Sequence, residues 1–327
     1  MAKSKIFVTR QIPKAGIDFL KKKRYQVRVY PKDRIISKRE LYAGAKWADA
    51  LLCLLTDKID STFIKKNKHL KIIANFAVGF DNIDLKSATE HGIAVTNTPE
   101  VLTEAVAEHS IALLFSLARR VHEGDMFMHK GKYKGWEPML FLGTQLREKT
   151  IGIIGLGRIG KEVAHRCVGL GMKVLYTKRN RDKGFEKRYH AQFVSQPQLL
   201  RKSDFVSLHV PLTKGTYHLI DKKELKMMKK TAYIINTSRG PVINEKELVR
   251  AIKNKEIAGA ALDVFEYEPK VAPGLDKLDN VVLTPHMASA TIEARSAMSE
   301  MAAKNIDDVL SGKRPLQIVN PDVYKKK

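Results

Sequence analysis

Residues 151–160 read Ile-Gly-Ile-Ile-Gly-Leu-Gly-Arg-Ile-Gly, an apolar run that leads into a glycine-rich turn. The apolar run predicts a buried strand, and the residues after the turn follow the pattern of a helix. Gly155 permits the tight turn, Gly157 lets a phosphate approach the backbone, and Gly160 lets helix and strand pack closely. The amides at the start of the helix attract a pyrophosphate. A dinucleotide-binding site is therefore predicted at Gly155, Leu156, Gly157, Arg158, Ile159 and Gly160.

Short apolar runs alternate with helical patterns along most of the chain. The run Ala50–Leu55 is apolar throughout, which is typical of a strand buried on both faces of a parallel sheet. One series of alternations ends before residue 100, and a second begins at Thr150. Between them we expect a long helix over residues 103–121 and an irregular segment over 124–146, which glycines and a proline interrupt. The pattern predicts an α/β fold of two doubly wound, Rossmann-like domains.

The segment after the second strand of the later series is cationic. In dinucleotide sites an acidic residue about 20 positions beyond the glycines binds the ribose 2′-hydroxyl. Here no carboxylate occurs before Asp182, and the charges present suit a 2′-phosphate. The predicted contacts are Lys178, Arg179, Asn180 and Arg181. We therefore expect NADP(H) in preference to NAD(H), the alternative being that these cations are ordinary surface residues.

Three apolar runs of the second half each end in charged residues. Arg239 follows the first run, and His286 follows the last. Asp263 and Glu268 follow the run between them. Because open α/β sheets bind ligands beyond the carboxyl ends of their strands, we expect the arginine, one of the two acids and the histidine to converge on one site.

The order of these motifs along the chain resembles that of the D-isomer-specific 2-hydroxyacid dehydrogenases. The motifs are Ser238-Arg239-Gly240, Glu266-Tyr267-Glu268-Pro269 and Thr284-Pro285-His286, after the glycine-rich turn. The resemblance covers nearly the whole chain. Within the family, residues 55–60 and 75–84 are most similar to the glyoxylate and hydroxypyruvate reductases.

The resemblance implies reduction of a small 2-oxo acid, glyoxylate or hydroxypyruvate, to the D-2-hydroxy acid by hydride transfer from NADPH. Arg239 would bind the substrate, since its planar fork matches a carboxylate and a carbonyl. His286 would be the general acid, and Glu268 would stabilise its protonated ring. Alternatives are a D-lactate or D-glycerate type of dehydrogenase that uses NADH, and a dinucleotide-sensing binding protein like the corepressors of the family.

Further contacts are implied only by the resemblance. Asp263 would orient the nicotinamide carboxamide. The remaining implied cofactor contacts are Thr237 and Ser238. The implied substrate contacts, beside Arg239 and His286, are Leu54, Val78, Gly79 and Trp136. No metal is expected.

The resemblance also implies one domain inserted into another. Residues 1–99 and 288–327 would form a flavodoxin-like substrate domain, and residues 100–287 the NAD(P)-binding Rossmann domain. The helix from Thr103 and the loop through Phe141 would form the interface of a homodimer.

The net charge is +24, from 59 lysines and arginines against 35 aspartates and glutamates. This excess raises the question of nucleic-acid binding, but it is spread over the chain without a basic arm or a zinc-ligand pattern, so we expect none. The chain has only two cysteines, Cys53 and Cys167, both in apolar segments, as is typical of a reducing compartment. With no signal-peptide core and no apolar run near the ~20 residues of a membrane span, we expect a cytoplasmic protein without membrane contact.

Overall fold

The computed structural model describes residues 4–325. Its contacts divide the chain into two compact units. One unit extends to Leu102 and resumes at Ala290, and the other is the continuous segment Thr103–Ser289. The first unit is therefore built from two separate stretches of sequence. The expected roles of the two parts, substrate binding and nucleotide binding, remain predictions at this stage.

The first unit is a parallel five-stranded sheet with helices between its strands. Its strands are β1 (Lys5–Val8), β2 (Gln26–Val29), β3 (Ala50–Cys53), β4 (Ile72–Asn75) and β5 (Ala94–Thr96). Its helices are α1 (Lys14–Lys22), α2 (Lys38–Trp47), α3 (Ser61–Lys66) and α4 (Leu85–Glu90). The strand order is β2-β1-β3-β4-β5, with every pair parallel. This order is that of the flavodoxin-like fold.

Local sequence signals explain several of these elements. Strand β3 is buried along its whole length, as its uninterrupted apolar sequence predicts, and β4, which ends in the polar Asn75, is also buried. Helix α2 begins with a capping box, in which Ser37 and Glu40 satisfy each other's backbone amides. Asp60 and Asp84 cap α3 and α4 in the same position.

The second unit is a parallel seven-stranded sheet. Its strands are β6 (Thr150–Ile154), β7 (Lys173–Thr177), β8 (Gln192–Phe193), β9 (Phe205–Leu208), β10 (Tyr233–Asn236), β11 (Gly259–Leu262) and β12 (Val281–Leu283). Its helices are α5 (Thr103–Ala118), α6 (Val121–His129), α7 (Arg158–Gly169), α8 (Lys183–Tyr189), α9 (Gln196–Lys202), α10 (Lys222–Met227) and α11 (Glu245–Lys253). A last long helix, α12 (Ile292–Leu310), belongs to the first unit.

The strand order of the second sheet is β8-β7-β6-β9-β10-β11-β12, again with every pair parallel. Counted within the unit, this is 3-2-1-4-5-6-7, the Rossmann order extended by one strand. The order reverses between β6 and β9, so ligands are expected beyond the carboxyl ends of these strands. The predicted fold, two doubly wound α/β units, is confirmed.

The segment after the long helix departs from its prediction. Helix α5 ends at Ala118 rather than at residue 121, and α6 lies within the stretch expected to be irregular. Between the two helices Arg120 adopts a left-handed conformation, with φ of 53°, and its guanidinium binds the carboxylate of Glu123. The prediction was wrong for the start of this stretch, because the first glycine that interrupts it, Gly131, lies beyond the end of α6 at His129.

Both cysteines are buried thiols without a disulfide bond. Burial raises the pKa of the Cys167 thiol to about 12. In the part of the chain that the structure describes, no helix combines the length and apolar character needed to cross a membrane.

Candidate active site

The glycine-rich turn connects β6 to α7 with almost no space for side chains. Gly155 has a φ of +99°, and a Cβ atom there would lie 2.7 Å from the carbonyl oxygen of His209. A Cβ atom on Gly160 would lie 2.3 Å from the carbonyl oxygen of Gly155. These two glycines are therefore required by the turn itself and by the close packing of the helix on the strand.

Gly157 is different, because its surroundings are open. Apart from Gly157 itself, its two chain neighbours and the adjoining backbone of α7, no heavy atom of residues 4–325 lies within 4 Å of the position where its Cβ would be. Gly157 is also the N-cap of α7, and within the same residues no side chain caps that helix. An open backbone at a helix N-terminus after a buried parallel strand suits a pyrophosphate. Leu156 is buried in the core, so only its backbone is available to a cofactor.

The predicted 2′-phosphate contacts lie on the surface beyond β7. Arg179, Asn180 and Arg181 are exposed, and Lys178 is half-buried. Arg181 binds Glu186 through two nitrogens, at 2.8 Å and 2.7 Å. Its charge is thus already partly neutralised. For Arg179, the described chain shows no salt bridge.

Two further contacts organise this surface. Asp182 caps α8 and lies 2.7 Å from Lys161 and 3.9 Å from Lys178. The buried Tyr176 donates its hydroxyl hydrogen to Glu186 at 2.6 Å, and this bond together with burial raises the pKa of Tyr176 to about 12. Each acid of this surface therefore already has a cation beside it.

Arg239 lies in a turn that its own backbone and Asn236 hold in place. The Asn236 side-chain amide donates to the Arg239 carbonyl at 2.9 Å, and its oxygen accepts the Ser238 amide at 3.0 Å. Ser238 also donates its hydroxyl hydrogen to this oxygen, and Thr237 is hydrogen-bonded to Ser110. These contacts fix the start of the Arg239 side chain at the carboxyl end of β10.

His286 and Glu268 form a hydrogen-bonded pair beyond the ends of β11 and β12. His286 Nδ1 lies 2.9 Å from Glu268 Oε2. The other carboxylate oxygen of Glu268 accepts the Phe265 amide at 3.0 Å. The pair engages Nδ1 and leaves the second ring nitrogen of His286 outside this hydrogen bond, an arrangement that suits a general acid.

The environment of Glu268 favours its ionised form. Burial acts to raise its pKa. The hydrogen bond and charge of His286, the Phe265 amide and the charge of Arg239 act the other way, and the pKa lies below its ordinary value. An ionised Glu268 holds the His286 ring in one orientation and stabilises its protonated form.

Asp263 is fully buried beneath the loop that carries His286. Its Oδ1 accepts the Thr284 hydroxyl at 2.6 Å and the Met287 amide at 2.8 Å, and its Oδ2 accepts the Ala288 amide at 2.8 Å. His286 itself has a left-handed backbone, with φ of 52°. The carboxylate therefore holds together a strained turn. Burial acts to raise the pKa of Asp263, but hydrogen bonds, that of His109 foremost, leave it below its ordinary value.

A match to a family model agrees with this geometry. Residues 111–288 match the model of the D-isomer specific 2-hydroxyacid dehydrogenase, NAD binding domain. A glyoxylate reductase of Thermococcus litoralis is 48% identical over 325 residues, which cover 98% of each chain. The chain belongs to the D-isomer specific 2-hydroxyacid dehydrogenase family. It is an oxidoreductase with a nicotinamide cofactor.

Solved structures of this dehydrogenase fold are similar throughout. A protein of Thermus thermophilus aligns with a TM-score of 0.91 and 39% identity, covering 96% of this chain and 99% of that one. The NADPH-dependent glyoxylate/hydroxypyruvate reductase of Sinorhizobium meliloti, in complex with NADP and malonate, aligns with a TM-score of 0.85 and 29% identity, covering 97% of each chain.

The implied substrate contacts of this dehydrogenase from the first unit lie in two loops, after β3 and after β4. The Asn97 and Asn75 amides donate to the carbonyls of Val78 and Gly79, at 2.7 Å and 2.8 Å. The Leu54 amide donates to Asp57, a carboxylate whose pKa burial raises. The implied contact Trp136, in the second unit, is 82% exposed.

Two supporting residues of the dehydrogenase were not predicted from the sequence. Asn236 ends β10, and a polar residue that closes an otherwise apolar strand was a usable signal for it. His109 lies on α5, with Nε2 3.1 Å from the Thr284 hydroxyl and 3.4 Å from the Asp263 carboxylate. Its partners are 154 and more residues away in sequence, so the sequence held no local signal for it.

Proposed function

We propose that this dehydrogenase reduces small 2-oxo acids, with glyoxylate and hydroxypyruvate as the preferred substrates and NADPH as the preferred cofactor. The observation that carries the proposal is the His286–Glu268 hydrogen bond of 2.9 Å, beyond the strand ends of the unit that contains the glycine-rich turn. Relatives named glyoxylate reductase, such as that of Thermococcus litoralis, support the choice of substrate.

Arg239 is the proposed substrate-binding cation. A 2-oxo acid presents a carboxylate and an adjacent carbonyl oxygen, and a guanidinium can donate to both at once from one plane. The hydrogen bonds of Asn236 hold the backbone turn that carries Arg239, so they restrict the positions that the guanidinium can reach. The orientation of the substrate then follows from the position of the turn.

His286 is the proposed general acid. With Nδ1 bonded to Glu268, the ring holds its transferable proton at Nε2, from which the proton passes to the carbonyl oxygen of the substrate. In the oxidative direction the same nitrogen accepts the proton of the substrate hydroxyl. Glu268 remains ionised in both directions of the reaction, because its pKa lies below its ordinary value.

Residues Gly155–Gly160 are the proposed cradle of the cofactor pyrophosphate, with Lys178, Arg179, Asn180 and Arg181 near the adenosine ribose. When bound, the reduced nicotinamide supplies the hydride that the carbonyl carbon receives. The cationic surface supports a preference for NADPH, as does the NADPH-dependent relative from Sinorhizobium meliloti. Glu186 weakens this preference, because its carboxylate already binds the guanidinium of Arg181.

The other expected contacts stand as parts of the same proposal. Thr237, Ser238 and Asp263 are proposed for the cofactor, and Leu54, Val78, Gly79 and Trp136 for the substrate. Because both carboxylate oxygens of Asp263 accept hydrogen bonds from its own loop, we give it a positioning role as well.

A homodimer is part of the proposal. Large apolar side chains on α6 and on the segment that follows it are exposed, namely Val121, Met126, Met128, Tyr133, Trp136, Met139 and Leu142. Monomeric proteins seldom leave so many large apolar residues of one region in water. A second copy of the chain would cover them, and the cytoplasm is the proposed location.

The proposal is tested by following the absorbance of NADPH and of NADH with glyoxylate, hydroxypyruvate and pyruvate. We expect kcat/KM to be highest with NADPH and with glyoxylate or hydroxypyruvate, and hydroxypyruvate to yield D-glycerate. Equal efficiency with NADH would contradict the cofactor proposal, and a preference for pyruvate would favour a D-lactate type of enzyme. Cofactor binding without turnover of any 2-oxo acid would favour the dinucleotide-sensing alternative.

A further inference from the structure

A buried carboxylate that the proposed mechanism does not use lies behind the His286–Glu268 pair. It belongs to Glu245, the first residue of α11, whose side chain and backbone are 1% exposed. Its Oε1 accepts the Glu266 amide at 2.6 Å, and its Oε2 accepts the Ala272 amide at 3.1 Å. One carboxylate thus holds both ends of the segment 266–272, and Glu268 lies within that segment.

A second carboxylate returns the contact. Glu266 Oε2 accepts the backbone amide of Glu245 at 3.3 Å, and Glu266 Oε1 lies 2.8 Å from His218 Nε2. The His218 ring stacks on the Tyr217 ring, with centroids 4.0 Å apart. The start of α11 and the segment 266–272 are therefore joined in both directions by charged groups with backbone partners.

The turn that carries Arg239 is packed against the same segment. A Cβ atom on Gly240 would lie 1.9 Å from the carbonyl carbon of Phe265 and 2.4 Å from the amide nitrogen of Glu266. The two backbones are in direct contact, so a shift of the segment would also displace the Arg239 turn. Glu245 binds the Glu266 amide, and the preceding amide, that of Phe265, binds Glu268, which in turn binds His286.

The buried position of Glu245 disfavours the ionised form of its carboxylate. Burial raises its pKa, and the nearby carboxylates of Glu266 and Glu268 raise it further, while its two amide donors act to lower it. A neutral glutamine in its place would offer only one acceptor oxygen for two amides. The need for two acceptors at one position explains why a carboxylate occurs in this buried place.

We propose that Glu245 is a positioning residue for the catalytic pair, holding the segment 266–272 so that Glu268 stays within hydrogen-bond distance of His286. This inference rests on the proposed function for its kinetic consequences, but the hydrogen bond between Glu268 and His286 can be followed without any substrate. The charged groups recorded near Glu268 are His286 beyond β12, Arg239 beyond β10 and Glu245 on α11, and Glu266 lies near Glu245.

The test is Glu245→Gln, with Glu247→Gln as the matched control. Glu247 lies in the same turn of α11, and its carboxylate binds Arg250 rather than the segment. We expect Glu245→Gln to lower kcat about 10- to 100-fold, since displaced catalytic groups lose this much, with KM for NADPH changed less than about twofold. We expect Glu247→Gln to keep the parent values.

The pH dependence separates positioning from simple stability. In Glu245→Gln the basic limb of the kcat/KM profile moves to lower pH, because a displaced Glu268 no longer supports the protonated ring of His286. A variant that merely folded less well would show a lower kcat/KM at every pH, with the midpoint of the basic limb unchanged. In a Glu268→Gln background, Glu245→Gln should add little further loss, because both changes act on one contact.

The substrate-free measurement is the NMR chemical shift of the His286 ring nitrogens, assigned through His286→Ala. We expect the Nδ1 signal to move in Glu245→Gln, because its hydrogen bond to Glu268 is weakened, and to stay in Glu247→Gln. An unchanged Nδ1 signal and an unchanged pH profile would overturn the proposal, even if the enzyme proved to use another substrate. If Glu245→Gln does not fold, Glu245→Asp provides the same readouts, since its shorter carboxylate cannot reach both amides.

Discussion

The second unit holds its charged side chains in two different ways at its two candidate ligand regions. Around Arg239, Glu268 and His286, buried carboxylates accept hydrogen bonds from backbone amides of the loops, as Asp263 and Glu245 do. Beyond β7, exposed cations pair with acidic side chains across the protein surface.

This difference matches what each region has to recognise. A buried carboxylate is costly, but bonded to two amides it fixes the path of a loop, which proton transfer over a short distance requires. An exposed ion pair contributes only about 0–1 kcal/mol and exchanges partners easily. That is sufficient for a region that has to supply positive charge rather than one exact geometry.

The largest effect is expected from His286→Ala, which removes the proposed proton donor. We expect kcat to fall about 10²- to 10⁴-fold, the usual contribution of general acid catalysis, with NADPH affinity retained. Steady-state kinetics and fluorescence titration with NADPH measure the two quantities. His129→Ala, at an exposed histidine of α6, is the control and should leave kcat unchanged. A kcat close to that of the parent would exclude the proposed role of His286.

A smaller effect is expected from Asp263→Asn, which leaves an amide group facing the backbone donors of Met287 or Ala288. We expect a loss of about 1–3 kcal/mol in the free energy of unfolding, as is usual when a buried donor loses its acceptor. Denaturant titration measures it. The loop that carries His286 loses its support, so kcat should fall as well.

The pH dependence of this loss has a defined sign. Because folding lowers the pKa of Asp263, its ionised form stabilises the folded chain above the unfolded value of about 3.9. The stabilisation is lost as the pH falls through the folded value. The difference in the free energy of unfolding between parent and variant should therefore be largest near neutral pH and become smaller in acid. A difference independent of pH would show that the charge of Asp263 plays no part.

The smallest effect is expected beyond β7. Arg179→Ser removes an exposed cation and should raise KM for NADPH about tenfold, the worth of one hydrogen bond to a charged group, with KM for NADH unchanged. Glu186→Gln should act in the opposite direction by a few-fold, because it releases Arg181. Lys187→Ser, another exposed cation on α8, is the control. If KM for NADH rose as much as KM for NADPH, the result would contradict a 2′-phosphate contact at Arg179.

Features that depend on neighbouring residues were predictable from the sequence. The run 151–160 specified a strand, a tight turn and a helix start, because Gly155 and Gly160 meet local steric demands and Gly157 leaves the helix start open. The uninterrupted apolar run of β3 likewise indicated a strand of a parallel sheet. Arg239, Glu268 and His286 could be grouped because parallel strands bring their carboxyl ends to one edge.

Features that depend on distant residues were decided only by the tertiary structure. Nothing in the cationic segment indicated that Glu186 would bind Arg181, and nothing in α11 indicated that Glu245 would hold a segment more than 20 residues away. A side chain's periodicity tells which face of an element it occupies, but its partner is set by the packing of whole elements. The sequence by itself therefore determined the sheets and the residue types of the site, and tertiary packing decided which buried charges hold them in place.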